Sequence, residues 1–113
     1  MKKQYIGNLW INKKDNETYT SGNLDLGPLG RIKVYLRKLQ KEKDNQPDFG
    51  LYANGSQIGS FWHKQKEGKK FLSGNLLGVQ VNIFKNKKEK DTDSDYSIIR
   101  FLKEDEESVS EGV

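Results

Sequence analysis

Cysteine is absent from this chain, and histidine, proline and long apolar runs are scarce. With no cysteine in 113 residues, disulfides, thiolate zinc sites and cysteine nucleophiles are excluded. No apolar run approaches the length of a membrane span, and the start MKKQYIGNLW lacks the apolar segment of a signal peptide. We therefore expect a cytoplasmic protein with no membrane partner.

The sequence also has little that supports catalysis. His63 is the only histidine, so no second histidine or cysteine stands at ligand spacing, and a metal site or a catalytic triad is not expected. Most carboxylates fall in polar turns or near the C-terminus, where they are solvated. The run Gly27-Pro28-Leu29-Gly30 lacks the lysine of a phosphate-binding loop, and we predict a turn there. We expect no enzymatic activity, no cofactor and no metal.

Charge is unevenly distributed along the chain. All 20 Lys and Arg residues precede Glu104, whereas five of the 16 acidic residues follow Lys103, so residues 1–103 carry a net charge of +9. A basic body attracts polyanions. Residues 104–113, the acidic tail, have almost nothing apolar to bury, and we expect them to be disordered. The tail is also a candidate contact for a protein partner, or simply a solubilising terminus.

An internal repeat organises the rest of the chain. The segment IGSFWHKQKEGKKFLSGNL (residues 58–76) has a second copy that begins at Gly7. The alignment superimposes Trp62 on Trp10 and Phe71 on Tyr19, and both copies end in Ser-Gly-Asn-Leu. The chain therefore divides into two related halves, residues 5–54 and 57–102.

Alternation of apolar and polar residues predicts the strands. Ile32, Val34 and Leu36, for example, alternate with Lys33, Tyr35 and Arg37, and Asn54-Gly55 is a strong hairpin signal. The pattern gives eight strands, at residues 4–12, 17–26, 31–39, 49–53, 57–64, 70–77, 79–85 and 96–102. With 33% hydrophobic residues and no convincing helix, we expect a thin-cored all-β domain of two four-strand antiparallel halves, either a sandwich or a small barrel.

The two copies also predict how the hairpins pair. A first turn centred between Lys14 and Asp15 places three pairs opposite each other: Trp10 and Tyr19, Leu9 and Thr20, Gly7 and Gly22. A second turn centred on Lys66-Glu67 places the equivalent pairs opposite: Trp62 and Phe71, Phe61 and Leu72, Gly59 and Gly74. Glycines beside aromatic residues would let the sheet bend sharply.

Short motifs in both halves resemble those of a known family. In the second half they are Pro47-Asp48-Phe49, Ile58-Gly59, Trp62, Lys64, Lys66-Glu67-Gly68, Leu72-Ser73, Leu76 and Tyr96-Ser97-Ile98-Ile99, and in the first half Ile6-Gly7, Tyr19-Thr20, Gly22 and Ile32-Lys33-Val34. Together they resemble the small bacterial proteins catalogued as domain of unknown function 736. The resemblance implies an all-β fold and a bacterial setting, often on a plasmid or phage genome, and it implies no catalytic residues. The chain departs from that pattern at Trp10, in the Gly27–Gly30 loop and in the acidic tail.

Aromatic and basic residues that share one face of the strands predict a nucleic-acid surface. We expect the face with Leu9, Leu24, Phe61 and Leu72 to form the core, which leaves the aromatic face in water. Flat rings suit stacking on bases and lysines suit phosphates. The predicted stacking residues are Trp10, Tyr19, Tyr35, Trp62 and Phe71, and the predicted phosphate-binding residues are Lys33, Arg37, Lys64, Lys69 and Lys85. The expected ligand is single-stranded DNA or RNA, bound without chemistry or strong sequence preference.

Other interpretations of the same residues remain open at this point. Trp10 and Trp62 could instead face each other in the core, because tryptophan is highly buried on average. The lysine-rich loops could be no more than solvated surface. The chain could also be a structural or protein-interaction module, including a homodimer; an enzyme and a barrel for lipids or small molecules are more remote alternatives.

Overall fold

The computed structural model describes residues 2–102 as eight β-strands and one short 3-10 turn. The strands are β1 (Lys2–Lys14), β2 (Glu17–Asp25), β3 (Arg31–Lys38), β4 (Phe49–Ala53), β5 (Ser56–Lys66), β6 (Lys69–Leu76), β7 (Val79–Lys85) and β8 (Tyr96–Leu102), and the 3-10 turn is Gly27–Leu29. Each strand pairs antiparallel with the next, and β8 pairs with β1. The sheet therefore closes into a barrel, which confirms the all-β prediction and selects the barrel over the sandwich.

The inner face of the barrel is the apolar face that alternation predicts. Leu9, Val34, Leu51, Phe61 and Ile98 are completely buried. These side chains belong to one hydrophobic cluster that draws on every strand. An eight-stranded barrel is just wide enough to be filled by its own side chains, so the interior is a packed core.

The register of both predicted hairpins is wrong by two residues. Trp10 lies opposite Ser21 and Trp62 opposite Ser73, instead of opposite Tyr19 and Phe71. The other four predicted pairs are corrected in the same way: Leu9 pairs with Gly22, Gly7 with Leu24, Phe61 with Gly74 and Gly59 with Leu76. The cause is the position of the turns, which are tight two-residue turns at 15–16 and 67–68 with positive φ at both positions. Because the side-chain period of a strand is two, this shift leaves every residue on its predicted face.

The barrel has two unlike ends. At the end called here the loop end lie the β1–β2 and β5–β6 turns and the two long loops, β3–β4 (residues 39–48) and β7–β8 (residues 86–95). The opposite, terminal end carries the β2–β3, β4–β5 and β6–β7 connections. There β1 and β8 run side by side as far as the pair Lys2 and Leu102.

Two interior glycines allow the strands to coil this tightly. A Cβ atom added to Gly22 would lie 1.8 Å from the backbone oxygen of Asn8, and one added to Gly74 would lie 1.8 Å from that of Ser60. The neighbouring strand therefore crosses directly over each glycine, as the sharp bend predicted from the sequence requires.

The sequence analysis also made predictions about the acidic tail and about membrane-spanning segments. The acidic tail, residues 104–113, lies outside the described residues, so its predicted disorder stays a prediction. Within residues 2–102 no helix is long and apolar enough to cross a membrane.

Candidate nucleic-acid interface

The five predicted stacking residues all share the outer face of the barrel, but they do not form one platform. They lie on β1 (Trp10), β2 (Tyr19), β3 (Tyr35), β5 (Trp62) and β6 (Phe71). Strands β1 and β5 are four strands apart in a closed eight-stranded sheet, so the two tryptophans lie on opposite sides. The closed barrel thus separates the candidate residues into two surfaces.

Each tryptophan is partly covered by a long loop at the loop end. The indole Nε1–H of Trp62 donates a hydrogen bond to the backbone oxygen of Asn45 (3.0 Å), and that of Trp10 donates to the backbone oxygen of Thr92 (3.0 Å). Both side chains are half-buried, and neither belongs to the hydrophobic core. Their visible role is to anchor the loops, and their predicted part in stacking bases stays a prediction.

An aspartate fixes each of these loops to the neighbouring strand. Asp48 Oδ2 accepts the backbone N–H of His63 (2.9 Å), and Asp95 Oδ2 accepts that of Ile11 (2.7 Å). These hydrogen bonds hold the pKa of both carboxyl groups below the ordinary value of 3.8, and the adjacent ammonium groups of Lys41 (3.0 Å) and Lys88 (3.1 Å) lower it further.

The two loops extend the internal repeat with a run of identical residues that the sequence analysis did not use. Lys41-Glu42-Lys43-Asp44 and Lys88-Glu89-Lys90-Asp91 are identical in sequence, and Gln46 and Asp93 accept equivalent pairs of backbone N–H groups. These identical residues can be recognised from the sequence alone. The partners of the loops cannot, because each loop anchors the tryptophan of the other half, and the contact of Thr92 with Trp10 forms only when β8 pairs with β1.

The first outer surface, the Tyr surface, consists of Tyr19, Lys33, Tyr35, Arg37 and Tyr52 on β2, β3 and β4. Tyr35 lies opposite Tyr52 in the β3–β4 ladder. The Lys33 ammonium lies 5.4 Å from the centre of the Tyr35 ring, and the Arg37 guanidinium 5.4 Å from that of Tyr52. Both rings therefore already have a cation from their own surface over them.

The second outer surface, the Phe groove, is built by Phe71, Phe84 and Phe101 with Lys66 and Lys69 at its edge. The Phe71 and Phe84 rings stack at 5.2 Å, and Phe101 meets Phe84 edge-on at 6.0 Å. The groove has a volume of about 870 Å³. Phe71 was predicted as a surface aromatic, whereas its two partners were missed although Phe84 alternates with the interior residue Ile83.

The groove exists because β7 and β8 diverge. Their ladder ends at the pair Asn82 and Ile99, while β8 runs on beside β1 to Leu102. Phe101 closes part of the resulting gap. Asn82 also lines the gap, and its Oδ1 is a buried acceptor with no hydrogen-bond partner within residues 2–102.

The predicted phosphate-binding residues divide between the two surfaces. Lys33 and Arg37 belong to the Tyr surface, whereas Lys64 lies opposite Phe71 and Lys69 lines the Phe groove. Lys85 is the exception. It follows Phe84 at the end of β7 and has the strand parity of the core residue Ile83, so it lies at the loop end and not beside the phenylalanines.

His63 and the acidic side chains are the groups that a catalytic or metal site would need. His63 is exposed, as predicted, and its ring contacts Phe49 edge-on at 5.3 Å. Across residues 2–102, no three acidic or histidine side chains come together as metal ligands would. The outer face brings together flat apolar rings and cations.

Comparison with known proteins identifies the family. Searches of the curated proteins and of the solved structures found no match. One family pattern, described as a protein of unknown function (DUF736), matches residues 12–100, which include all of β2 to β7, most of β8 and only the end of β1. That span confirms the resemblance seen in the sequence, and the chain belongs to the DUF736 family.

Proposed function

We propose that this protein binds single-stranded nucleic acid, without catalysis, and that the Phe groove is the principal contact. The observation that carries the proposal is the stack of Phe71 on Phe84 in an open groove with lysines at its edge. Aromatic rings in a basic groove are the combination that binds single strands with little sequence preference, at about 1–3 kcal/mol per stacked base.

The groove offers a partner for each part of a nucleotide. The phenylalanine rings supply apolar faces for bases, and Lys64, Lys66 and Lys69 supply cations for phosphates. Asn82 also lines the groove, but its Oδ1 atom is buried and is not available to a base.

The Tyr surface supports the proposal less strongly. Because Lys33 and Arg37 already lie over Tyr35 and Tyr52, a base would have to displace a cation before it could stack. The Tyr surface also lies on the side of the barrel opposite the Phe groove. A strand must therefore wrap around the barrel to contact both, and we assign the Tyr surface a secondary role in longer complexes.

The proposed setting is the bacterial cytoplasm, on a plasmid or phage genome. The absence of cysteine fits a reducing compartment. The basic body supplies the long-range attraction that a polyanionic partner needs.

The test is fluorescence anisotropy of labelled single-stranded DNA and RNA oligonucleotides of mixed sequence, at about 50 and about 200 mM salt. A labelled ligand is preferable to tryptophan emission, because the tryptophans report on the loops that cover them. If three or four phosphates are neutralised, affinity falls about 20- to 50-fold between the two salt concentrations. No binding at the lower salt concentration overturns the proposal.

A matched pair of variants locates the site. Lys66→Gln with Lys69→Gln removes two charges at the Phe groove, and Lys13→Gln with Lys14→Gln removes two at the corresponding turn of the first half. We expect the first pair to weaken binding and reduce the salt dependence, and the second pair to change either much less. Equal losses would move the interface away from the groove.

Exposed leucines at the terminal end favour a second candidate function, protein interaction. Leu29 is 84% exposed and Leu77 is 71% exposed, and both lie in connections of that end. Both side chains would lose exposed apolar surface against a partner that covers this end of the barrel, and a second copy of the chain is the simplest partner. Sedimentation over a range of concentrations, with Leu29→Lys and Leu77→Lys as dissociating substitutions, tests this candidate.

A further inference from the structure

The Phe groove lies beside the point where the described part of the chain ends. Phe101 lines the groove, and Leu102 is the last residue of β8. The sequence continues through residues 103–113. At about 3.3 Å per extended residue, these residues span up to roughly 36 Å, whereas the strand β7 that borders the groove spans roughly 23 Å. The acidic tail is therefore long enough to reach Lys66 and Lys69 at the far edge.

Charge makes the acidic tail a suitable occupant of a lysine-edged groove. It has five carboxylates and no basic residue, whereas residues 1–103 carry a net charge of +9. Each exposed charge pair contributes little by itself in water, about 1 kcal/mol at 4 Å. A short tether, however, keeps the carboxylates near the lysines at an effective concentration in roughly the millimolar range, so several weak contacts are enough for partial occupancy.

We infer that the acidic tail competes with nucleic acid for the Phe groove. The carboxylates farther along the tail, Glu106, Glu107 and Glu111, lie beside Lys66 and Lys69 until a polyanion displaces them. This inference rests on the proposed function and adds a means of regulating the same site. If the tail occupies the groove about four-fifths of the time, it lowers the apparent affinity about fivefold, because only the open fraction binds.

The experiment compares two full-length variants with the same change in net charge. The tail variant carries Glu106→Gln, Glu107→Gln and Glu111→Gln, the carboxylates that are far enough along the tail to reach the lysines. The control variant carries Asp15→Asn, Glu17→Gln and Asp44→Asn, three exposed positions of the first half. Both raise the net charge by three, so a difference between them measures the location of the charge. Oligonucleotide affinity is measured for both at about 50 and about 200 mM salt.

A second measurement needs no nucleic acid. Backbone amide chemical shifts of the two variants are compared with those of the parent chain at about 50 mM salt. If the tail occupies the groove, the tail variant alone shifts the amide signals of residues around Phe71, Asn82 and Phe84. Shifts at the Tyr surface instead, or none anywhere, overturn the inference.

The two measurements separate the inference from the function on which it rests. We expect the tail variant to bind oligonucleotide about three- to fivefold more tightly than the control at about 50 mM salt, with a smaller difference at about 200 mM because salt screens both competitors. Equal affinities of the two variants overturn the inference while the proposed function stands. Amide shifts in the groove, combined with no oligonucleotide binding by any variant, support tail occupancy and overturn the proposed function.

Discussion

The two halves of the barrel have the same scaffold but different outer surfaces. Residues 2–53 and residues 54–102 each carry a net charge of +4, and their first hairpins pair in the same register. Phe71, however, takes the position that Tyr19 has in the first half, and Phe84 takes that of Arg37. The second half therefore stacks two rings, whereas in the first half Arg37 lies over the ring of Tyr52. What differs between the halves is the arrangement of aromatic residues and not the amount of charge.

The halves also differ in how they end. The fourth strand of the first half turns at Asn54-Gly55 into β5. At the equivalent place in the second half there is no turn, and β8 and β1 run on together as far as Lys2 and Leu102. The extension brings Phe101 beside Phe84. The groove thus depends on the extension of β8 beside β1, and the first half has no counterpart of Phe101.

The largest effect tests what the halves share. Gly22→Ala and Gly74→Ala each place a Cβ atom 1.8 Å from a backbone oxygen, a clash that no side-chain rotation relieves. We expect each substitution to lower the free energy of unfolding by about 3 kcal/mol, as measured by urea denaturation. Gly50→Ala is the control, because the atoms near its added Cβ belong to the side chains of Tyr52 and Gln57, which can move. A large loss at only one of the paired glycines would mean that the halves differ in their scaffold as well.

The second prediction tests where the halves differ. Phe71→Ala removes a ring from the stack in the Phe groove, and we expect it to weaken oligonucleotide binding by about tenfold or more. Tyr19→Ala removes the equivalent ring from the first half, and we expect less than about a threefold change. The measurement is anisotropy, with urea midpoints to confirm that both variants fold. Equal effects would show that the two surfaces bind alike and would contradict the difference drawn between them.

The faces of the strands could be predicted from the sequence more securely than their partners. Alternation placed Leu9 and Phe61 inside and Trp10 and Trp62 outside, and a register error of two residues does not change a face. The register itself depends on which two residues adopt positive φ. Glu67, with φ of 53°, is a residue that seldom does so, and nothing in its side chain indicates the turn.

The candidate site was predictable only in part, for a related reason. Phe71 and Lys69 are close in sequence and lie on one face, so alternation brings them together. The contacts of Phe84 and Phe101 depend on the divergence of β7 from β8, and the cover over Trp10 depends on a loop about eighty residues away. Contacts of that kind arise only when the barrel closes, and no local pattern contains them.

The third prediction concerns the loop anchors, which the halves share. Trp62→Phe and Trp10→Phe each delete one hydrogen bond from an indole to a loop carbonyl while keeping an aromatic ring. We expect each substitution to cost about 1 kcal/mol of unfolding free energy, with equal values in the two halves. Each variant keeps a single tryptophan, so its fluorescence during urea denaturation reports on the loop that remains anchored. A negligible cost at either position would remove the anchoring role from that indole.

The smallest effect is the dependence of the same loops on pH. The pKa of Asp48 and that of Asp95 are both lowered in the folded protein, mainly by the backbone N–H groups of His63 and Ile11. Because the folded value lies below the ordinary value of 3.8, the stabilisation is complete above that pH and is lost as pH falls through the folded value. Asp48→Asn or Asp95→Asn leaves an oxygen to accept the N–H but removes the charge, so we expect each variant to be slightly less stable than the parent chain at about pH 6 and close to it at about pH 3. Between about pH 6 and about pH 3 each variant should lose less stability than the parent chain, and the double variant least, because the carboxyl group that titrates has been removed. An acid dependence that both single variants leave unchanged would place the titrating groups elsewhere, and the two loops would then share their sequence without sharing this electrostatic anchor.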